Sequence, residues 1–258
     1  MGLESYNNLE YINDSKILLE SSAFHITDSS ENINSEALNS LEISSGECIS
    51  EVSEVDNFSQ FEHEIIYDAE SVEHIANYLE SFEAIKYENW SKLSLEEKHS
   101  ALCEIEKNLA EIEHRPAMCV EVEKMKGGTL GYQDSSSNRI AINSDVLASD
   151  KPEAHKKILD TIIHEGRHAY QHYNVDVKLI HESGAEVESW RENFYDSKYQ
   201  YYLSTGQKVY IPTEEGYEAM SDYRLYYYQP VEIDARNFAS DVLARLEGKG
   251  IVISSQGN

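Results

Sequence analysis

The stretch Thr161-Ile-Ile-His-Glu-Gly-Arg-His-Ala-Tyr-Gln171 holds two histidines, His164 and His168, four positions apart, with Glu165 directly after the first. On a helix that spacing sets two side chains about one turn apart on the same face, so both imidazoles can reach one metal ion. Neutral imidazole nitrogen suits zinc, and two histidines plus one carboxylate leave a fourth position open for water. Glu165 can then stand beside that water and take its proton. The expected chemistry is hydrolysis with Zn2+ as cofactor, His164 and His168 as metal ligands and Glu165 as the catalytic base.

Such a site needs one more protein ligand. A third histidine further along the same helix fails: position 171 is Gln and position 174 is Asn, and His172, a turn beyond His168, lies too far along the axis to share the ion. Three carboxylates compete for the place. Glu186 and Glu188 follow at a workable separation on a downstream helix. Glu232 precedes Ala235 by three, on the face its own helix must bury, and a carboxylate in such a place wants a cation. Glu232 is the favoured metal ligand, with Glu186 or Glu188 as the alternatives. The tyrosines at 223, 226, 227 and 228 lie near enough in sequence to Glu232 for one to serve as a donor to a developing oxyanion. Gln171, three residues after His168, is placed to support that imidazole, and Arg167, pointing off the ligand face, is expected to pair with an acid such as Asp234.

These residues require a buried helix, and the chain supplies one. Ile158, Leu159, Ile162 and Ile163 recur at helical spacing just ahead of the histidines, and Ser149-Asp150-Lys-Pro152-Glu153 makes a suitable start. Gly166 costs roughly 1 kcal/mol of helix propensity against Ala; a small residue there relieves crowding. Upstream, Val72, Ile75, Leu79 and Phe82 predict a helix over 64–86. Ser94-Leu-Glu-Glu97 is a capping box that opens a second helix, which runs to about His114 and is ended by Pro116. His99 and His114 on these helices are expected to have no catalytic part. Between Met118 and Asn143, alternating residues broken by Gly127-Gly128 and Asp134-Ser-Ser-Ser-Asn138 predict a small antiparallel meander directly before the motif helix. An edge strand of that sheet is suited to bind an extended peptide. A helix follows around 182–199, then a tyrosine-rich stretch, then a last helix starting near Gln229-Pro230 with Ala235, Phe238, Ala239, Val242 and Leu246 on its apolar face.

The fold class expected is α+β, mostly helical, with an acidic N-terminal region. Net charge is −27, unevenly spread: residues 1–80 carry 18 acids against Lys16 alone, a net of −17, and residues 81–258 carry 30 acids against 20 bases, a net of −10. This excludes nucleic acid and anionic membranes as partners. Residues 1–60, rich in Ser, Asn and Glu, are expected to be disordered or loosely packed, and 61–258 to form the domain, with a helical lead-in over 61–115 and a catalytic core over 116–250. Three widely spaced cysteines, Cys48, Cys103 and Cys119, make neither a disulfide framework nor a thiolate zinc site. The N-terminus lacks a basic and apolar leader, so the expected location is cytoplasmic as synthesised, with export by a specialised route still open.

Gln229-Pro-Val-Glu-Ile-Asp-Ala-Arg-Asn-Phe-Ala239 resembles the E-x-x-A-x-x-F-A segment of the ImmA/IrrE-type metallopeptidases. Together with H-E-x-R-H-x-x-Q over 164–171 it is similar to the metallopeptidase domains of bacterial polymorphic toxins and related small gluzincins. The likeness spans about residues 116–246, roughly half the chain. It implies a zincin-like fold, His164, His168 and Glu232 as zinc ligands, and Glu165 as the catalytic glutamate. The function expected is a zinc-dependent peptidase acting on a protein or peptide substrate, as a toxin or effector or as a regulatory protease. The alternatives are a metal-binding scaffold that serves protein interaction without turnover, and an amidase acting on a cell-wall peptide.

Overall fold

The computed structural model of the chain describes residues 65–126, 128–196, 205, 208, 210–213, 216–219, 221–247 and 249. The segment 1–60, expected to be loosely packed, lies outside the described residues, as does Cys48. The described part is α+β. Its helices are α1 (Asp68–Ser81), α2 (Tyr87–Trp90), α3 (Leu95–Ile112), α4 (Ser144–Leu147), α5 (Pro152–Asp176), α6 (Gly184–Tyr195), α7 (Asp222–Tyr227) and α8 (Pro230–Glu247). Strands β1 (Cys119–Glu123), β2 (Gly131–Asp134) and β3 (Arg139–Asn143) form one sheet, and β4 (Tyr210–Thr213) pairs antiparallel with β5 (Gly216–Ala219) in another.

The lead-in helix is shorter than its apolar stripe suggests. Val72, Ile75, Ala76 and Leu79 are buried on α1, but Phe82 takes an extended conformation, and the chain turns through a short 3-10 segment, Glu83–Ile85, into α2. The turn lets Ile85 and Trp90 both reach the core, which one straight helix would not allow. The capping box at the start of α3 forms as its sequence predicts: Ser94 Oγ accepts from the Glu97 N–H, and Glu97 Oε2 accepts from the Ser94 N–H at 2.8 Å. The stop comes ahead of Pro116. His114 is left-handed (φ 52°) and the Arg115 N–H returns to the Ala110 carbonyl, which closes the helix end.

The sheet corrects the expected meander. Its order is β1-β3-β2, with β1 parallel to β3 and β2 antiparallel to it, so β1 and β2 do not pair. Burial explains the order. Ile140, Ala141 and Ile142 of β3 are all fully buried, a run that needs cover on both faces and both edges, whereas β1 and β2 carry exposed or half-buried polar residues. The turn at Asp134 closes the β2–β3 hairpin, with the Asp134 carboxylate accepting from Ser136 and Ser137 and with Asn138 left-handed. β4 and β5 fall in the tyrosine-rich stretch, where no strand was expected. The helix predicted over 182–199 is described as α6, capped by Ser183.

Helix α5 is the axis of the molecule. It starts with Pro152 in its first turn and packs on α8, α3, α6 and the sheet. Ile158, Leu159, Ile162 and Ile163 face the main core with Leu102, Ile105, Ile140 and Val242; Tyr170 and Tyr173 face a second cluster with Val187 and Trp190 of α6. At Gly166 the helix is packed tightly: a Cβ there would stand 3.1 Å from Arg115 and 3.3 Å from Leu109 of α3. No helix among the described residues is long and apolar enough to cross a membrane.

A buried ionic cluster sits at that contact. Arg115 bonds both oxygens of Glu106, at 2.6 and 3.0 Å, and its Nε donates to Glu113 at 2.9 Å, with all three side chains almost fully buried. Glu106 alone neutralises Arg115, so Glu113 is a surplus charge. Burial pushes its carboxyl up to about 7, against the pull of Arg115 and Arg167.

Two predictions follow from this packing. A Cβ on Gly131 would lie 2.6 Å from Thr161 of α5 and 2.7 Å from the Ala141 carbonyl of β3, so Gly131→Ala is expected to cost about 1–3 kcal/mol in urea unfolding. A folded carboxyl raised above its unfolded value contributes stability that is complete below the unfolded value, near 4.5, and is lost as pH rises through about 7. Glu113→Gln keeps an acceptor for Arg115. It should therefore gain on the order of 2 kcal/mol relative to the native chain between pH 5 and pH 8; parallel pH profiles of the two proteins would refute this.

Candidate metal centre

His164 and His168 lie on adjacent turns of α5 and Glu232 in the first turn of α8. The crossing of these helices brings the three side chains together. His164 Nε2 and His168 Nε2 are 3.1 Å apart, Glu232 Oε2 is 3.3 Å from His164 Nε2, and Glu232 Oε1 is 3.3 Å from His168 Nε2. Each side chain is 8–13% exposed, so the cluster is nearly buried yet opens to solvent. It is the one group of three or more metal-ligating side chains found among the described residues.

The donor set fits a small divalent cation. Zinc takes imidazole nitrogen at about 2.0–2.1 Å and carboxylate oxygen at about 2.0–2.2 Å, so neighbouring donors on a tetrahedron stand roughly 3.3–3.5 Å apart. The His164–His168 separation of 3.1 Å is close to such an edge, and each imidazole has one Glu232 oxygen at 3.3 Å. The protonation pattern fits as well. Gln171 Nε2 donates to the Val231 carbonyl and to Asp234 Oδ2, which leaves Gln171 Oε1 as acceptor for His168 Nδ1 at 2.8 Å. His168 therefore carries its proton on Nδ1 and turns the Nε2 lone pair toward His164 and Glu232. Three electron-rich atoms at this distance repel one another unless a cation or a proton joins them. Burial opposes a charge on His168, but the Glu232 carboxylate outweighs it and holds that imidazole up at about 9. Glu232 is held well below the usual carboxylate range: burial pushes it up, and His168 and His164 more than reverse the push. A metal bound here displaces a proton.

Glu165 is buried between α5 and the sheet. Burial pushes its carboxyl up, His164 and His168 pull it back, Glu232 adds to the rise, and the backbone of Gln133 on β2 pulls it back a little further. Burial also raises Asp160, one turn before His164, against the pull of His164, Lys156 and Arg236.

Behind the cluster lies a second buried layer. Arg167, fully buried, donates through Nε and Nη2 to Asp234 at 2.9 and 3.0 Å, and through Nη2 to Asp68 of α1 at 2.8 Å. Tyr170 and Phe238 flank the guanidinium at 4.6 and 4.4 Å. The pairing of Arg167 with Asp234 and the support of His168 by Gln171 are as the sequence suggests. Because Asp234 also accepts from Gln171, one carboxylate joins Arg167 to the hydrogen bond that orients His168.

The alternative ligands sit elsewhere. Glu186 is exposed and reaches His181 Nε2 at 3.1 Å, and Glu188 pairs with Arg191. His172 stacks on Phe194, ring centroids 3.9 Å apart. Among the tyrosines near Glu232, the ring of Tyr227 lies against Arg236 and Tyr228 is partly exposed; the side chain of Tyr223 lies outside the description. The sequence reading missed Asp68, Asp160 and Arg236. Two of these had a signal in spacing, since Asp160 precedes His164 by four and Arg236 follows Glu232 by four on its helix. Asp68 had none: it is 99 residues from Arg167.

No family model, curated protein or solved structure matches the chain.

If Gln171 sets the tautomer of His168, Gln171→Ala should weaken metal binding about 10–100-fold while the fold persists. Competition against a chromophoric chelator measures this, and unchanged affinity would remove Gln171 from the account.

Proposed function

We propose that this chain is a zinc-dependent peptidase of zincin-like type, with His164, His168 and Glu232 as metal ligands and Glu165 as general base. The observation that carries the reading is the convergence of His164 Nε2, His168 Nε2 and the two Glu232 oxygens, 3.3 Å from His164 through Oε2 and from His168 through Oε1, with the buried carboxyl of Glu165 on the same helical turn. Zinc held by such a set supplies Lewis acidity and an open coordination position at which water becomes acidic near neutrality.

The chain's own residues supply the rest. Glu165 takes the proton of the attacking water and returns it to the leaving amine. Its burial-raised carboxyl suits both halves of that task, since a group titrating nearer neutrality can accept and release a proton. His168 keeps its lone pair on the cluster because Gln171 holds its other nitrogen. β2 is an edge of its sheet and passes Glu165 at Gln133, so its outer main-chain groups can pair with an extended protein or peptide substrate beside the catalytic carboxyl.

Glu165→Gln tests the reading. Expected are about one zinc per chain in both proteins, measured by metal analysis after purification without chelators, and loss of peptide-library cleavage by at least about a hundredfold in the variant. Cleavage that persists in Glu165→Gln would defeat the assigned base. Zinc bound at full occupancy by a native chain that cleaves nothing would favour a metal-bearing interaction scaffold.

A further inference from the structure

Arg236 lies one turn beyond Glu232 on α8, and its Nη1 stands 3.9 Å from Glu232 Oε2. That is too long for a hydrogen bond, yet the guanidinium is not loose. It lies over the Tyr227 ring, 3.6 Å from the centroid, and its Nη2 donates to the Tyr227 carbonyl at the end of α7. One edge is thus anchored, while Nη1 has no hydrogen-bond partner among the described residues. The side chain is 19% exposed, beside a ligand cluster that is itself partly open.

Arg167, on the far side of Glu232's helix turn, shows what a purely structural guanidinium does in this protein: it closes a two-point contact on Asp234 at 2.9 and 3.0 Å. Arg236 makes no such contact with Glu232. A guanidinium with a free edge close to a divalent ion is repelled by it unless an anion lies between them. The Glu232 carboxylate makes the surroundings acidic, so an anionic ligand is held only where a specific cation receives it. The guanidinium fork matches carboxylate geometry.

We propose that Arg236 is the carboxylate-recognising residue of this site, its Nη1 edge taking one oxygen of a ligand carboxylate that reaches the His164–His168–Glu232 centre. The carboxylate is the C-terminus or an acidic side chain of a peptide. The inference rests on the metal-centre reading but needs no turnover. It makes the site selective for peptides with a carboxylate near the metal, rather than for any extended chain.

The test uses the full chain loaded with cobalt(II), which accepts the same donors and absorbs visible light. Two isomeric probes separate the sources of the carboxylate: N-acetylglutamine, with a free C-terminus and a neutral side chain, and N-acetylisoglutamine, with an amidated C-terminus and an acidic side chain. N-acetylglutamine amide is the neutral control. Expected is that Arg236→Gln weakens binding of at least one acidic probe by about tenfold or more, that Arg236→Lys retains part of it, and that the control is unaffected. The isomer that responds names the source. Both variants should keep the native cobalt spectrum, since Arg236 is not a ligand. Acid binding equal in the native chain and Arg236→Gln, with cobalt loaded in both, overturns this proposal alone. A native chain that takes up no cobalt overturns the metal centre and the proposal together.

Discussion

Burying Arg167 is the constraint to which the rest of the arrangement answers. Its guanidinium is fully buried in the middle of α5, the longest helix among the described residues, and leaving such a charge without a partner costs about 3–5 kcal/mol. Asp234 of α8 and Asp68 of α1 must therefore come to it. Once Asp234 is docked, Glu232, two residues earlier on the same helix, is carried to the opening beside His164 and His168. Buried ion pairs are poor sources of net stability, because desolvation offsets most of the attraction. What this one contributes is position: α8 can neither slide nor rotate against α5 without stranding a charge.

The same carboxylate extends that control to the orientation of an imidazole. Asp234 accepts from both Arg167 and Gln171, and Gln171 accepts from His168. A chain of four hydrogen-bonded side chains therefore runs from Arg167 in the core to His168 in the cluster, each link buried or nearly so. On the neighbouring face of α5, Gly166 admits the Glu106–Arg115–Glu113 cluster. The motif helix is held between two buried ionic groups, one facing α8 and one facing α3. The three side chains of the cluster converge on such support, and here it is electrostatic as well as apolar.

Around the cluster, charge is divided by role. Glu232 is kept ionised by the two imidazoles, whereas burial pushes Glu165, its near neighbour, toward the neutral form. These two carboxyls are thus driven in opposite directions, one toward the ionised and the other toward the neutral form. Arg236 is tied to the ring and carbonyl of Tyr227, with its Nη1 3.9 Å from Glu232 Oε2.

The sequence by itself determined what depends on local spacing. His164 and His168 share a face because the helical period puts them there, Ser94 and Glu97 cap α3 through contacts three residues apart, and Pro230 opens α8 because its fixed φ suits a first turn. That Glu232 is buried beside the two histidines was legible for a related reason: a carboxylate in line with Ala235, Phe238 and Ala239 lies on a face that must be buried, and Glu186 and Glu188 carried no such burden. Strand order was not legible, because alternation names a strand and not its neighbour; only the packed structure shows that Ile140–Ile142 must take the centre and leave β1 unpaired with β2. Nor could the sequence show that Arg167 reaches back to Asp68, or that Arg236 rests on Tyr227 with one edge free. Those contacts join groups whose separation along the chain gives no hint of their distance in space, and they exist because the folded core has to neutralise the charges it encloses.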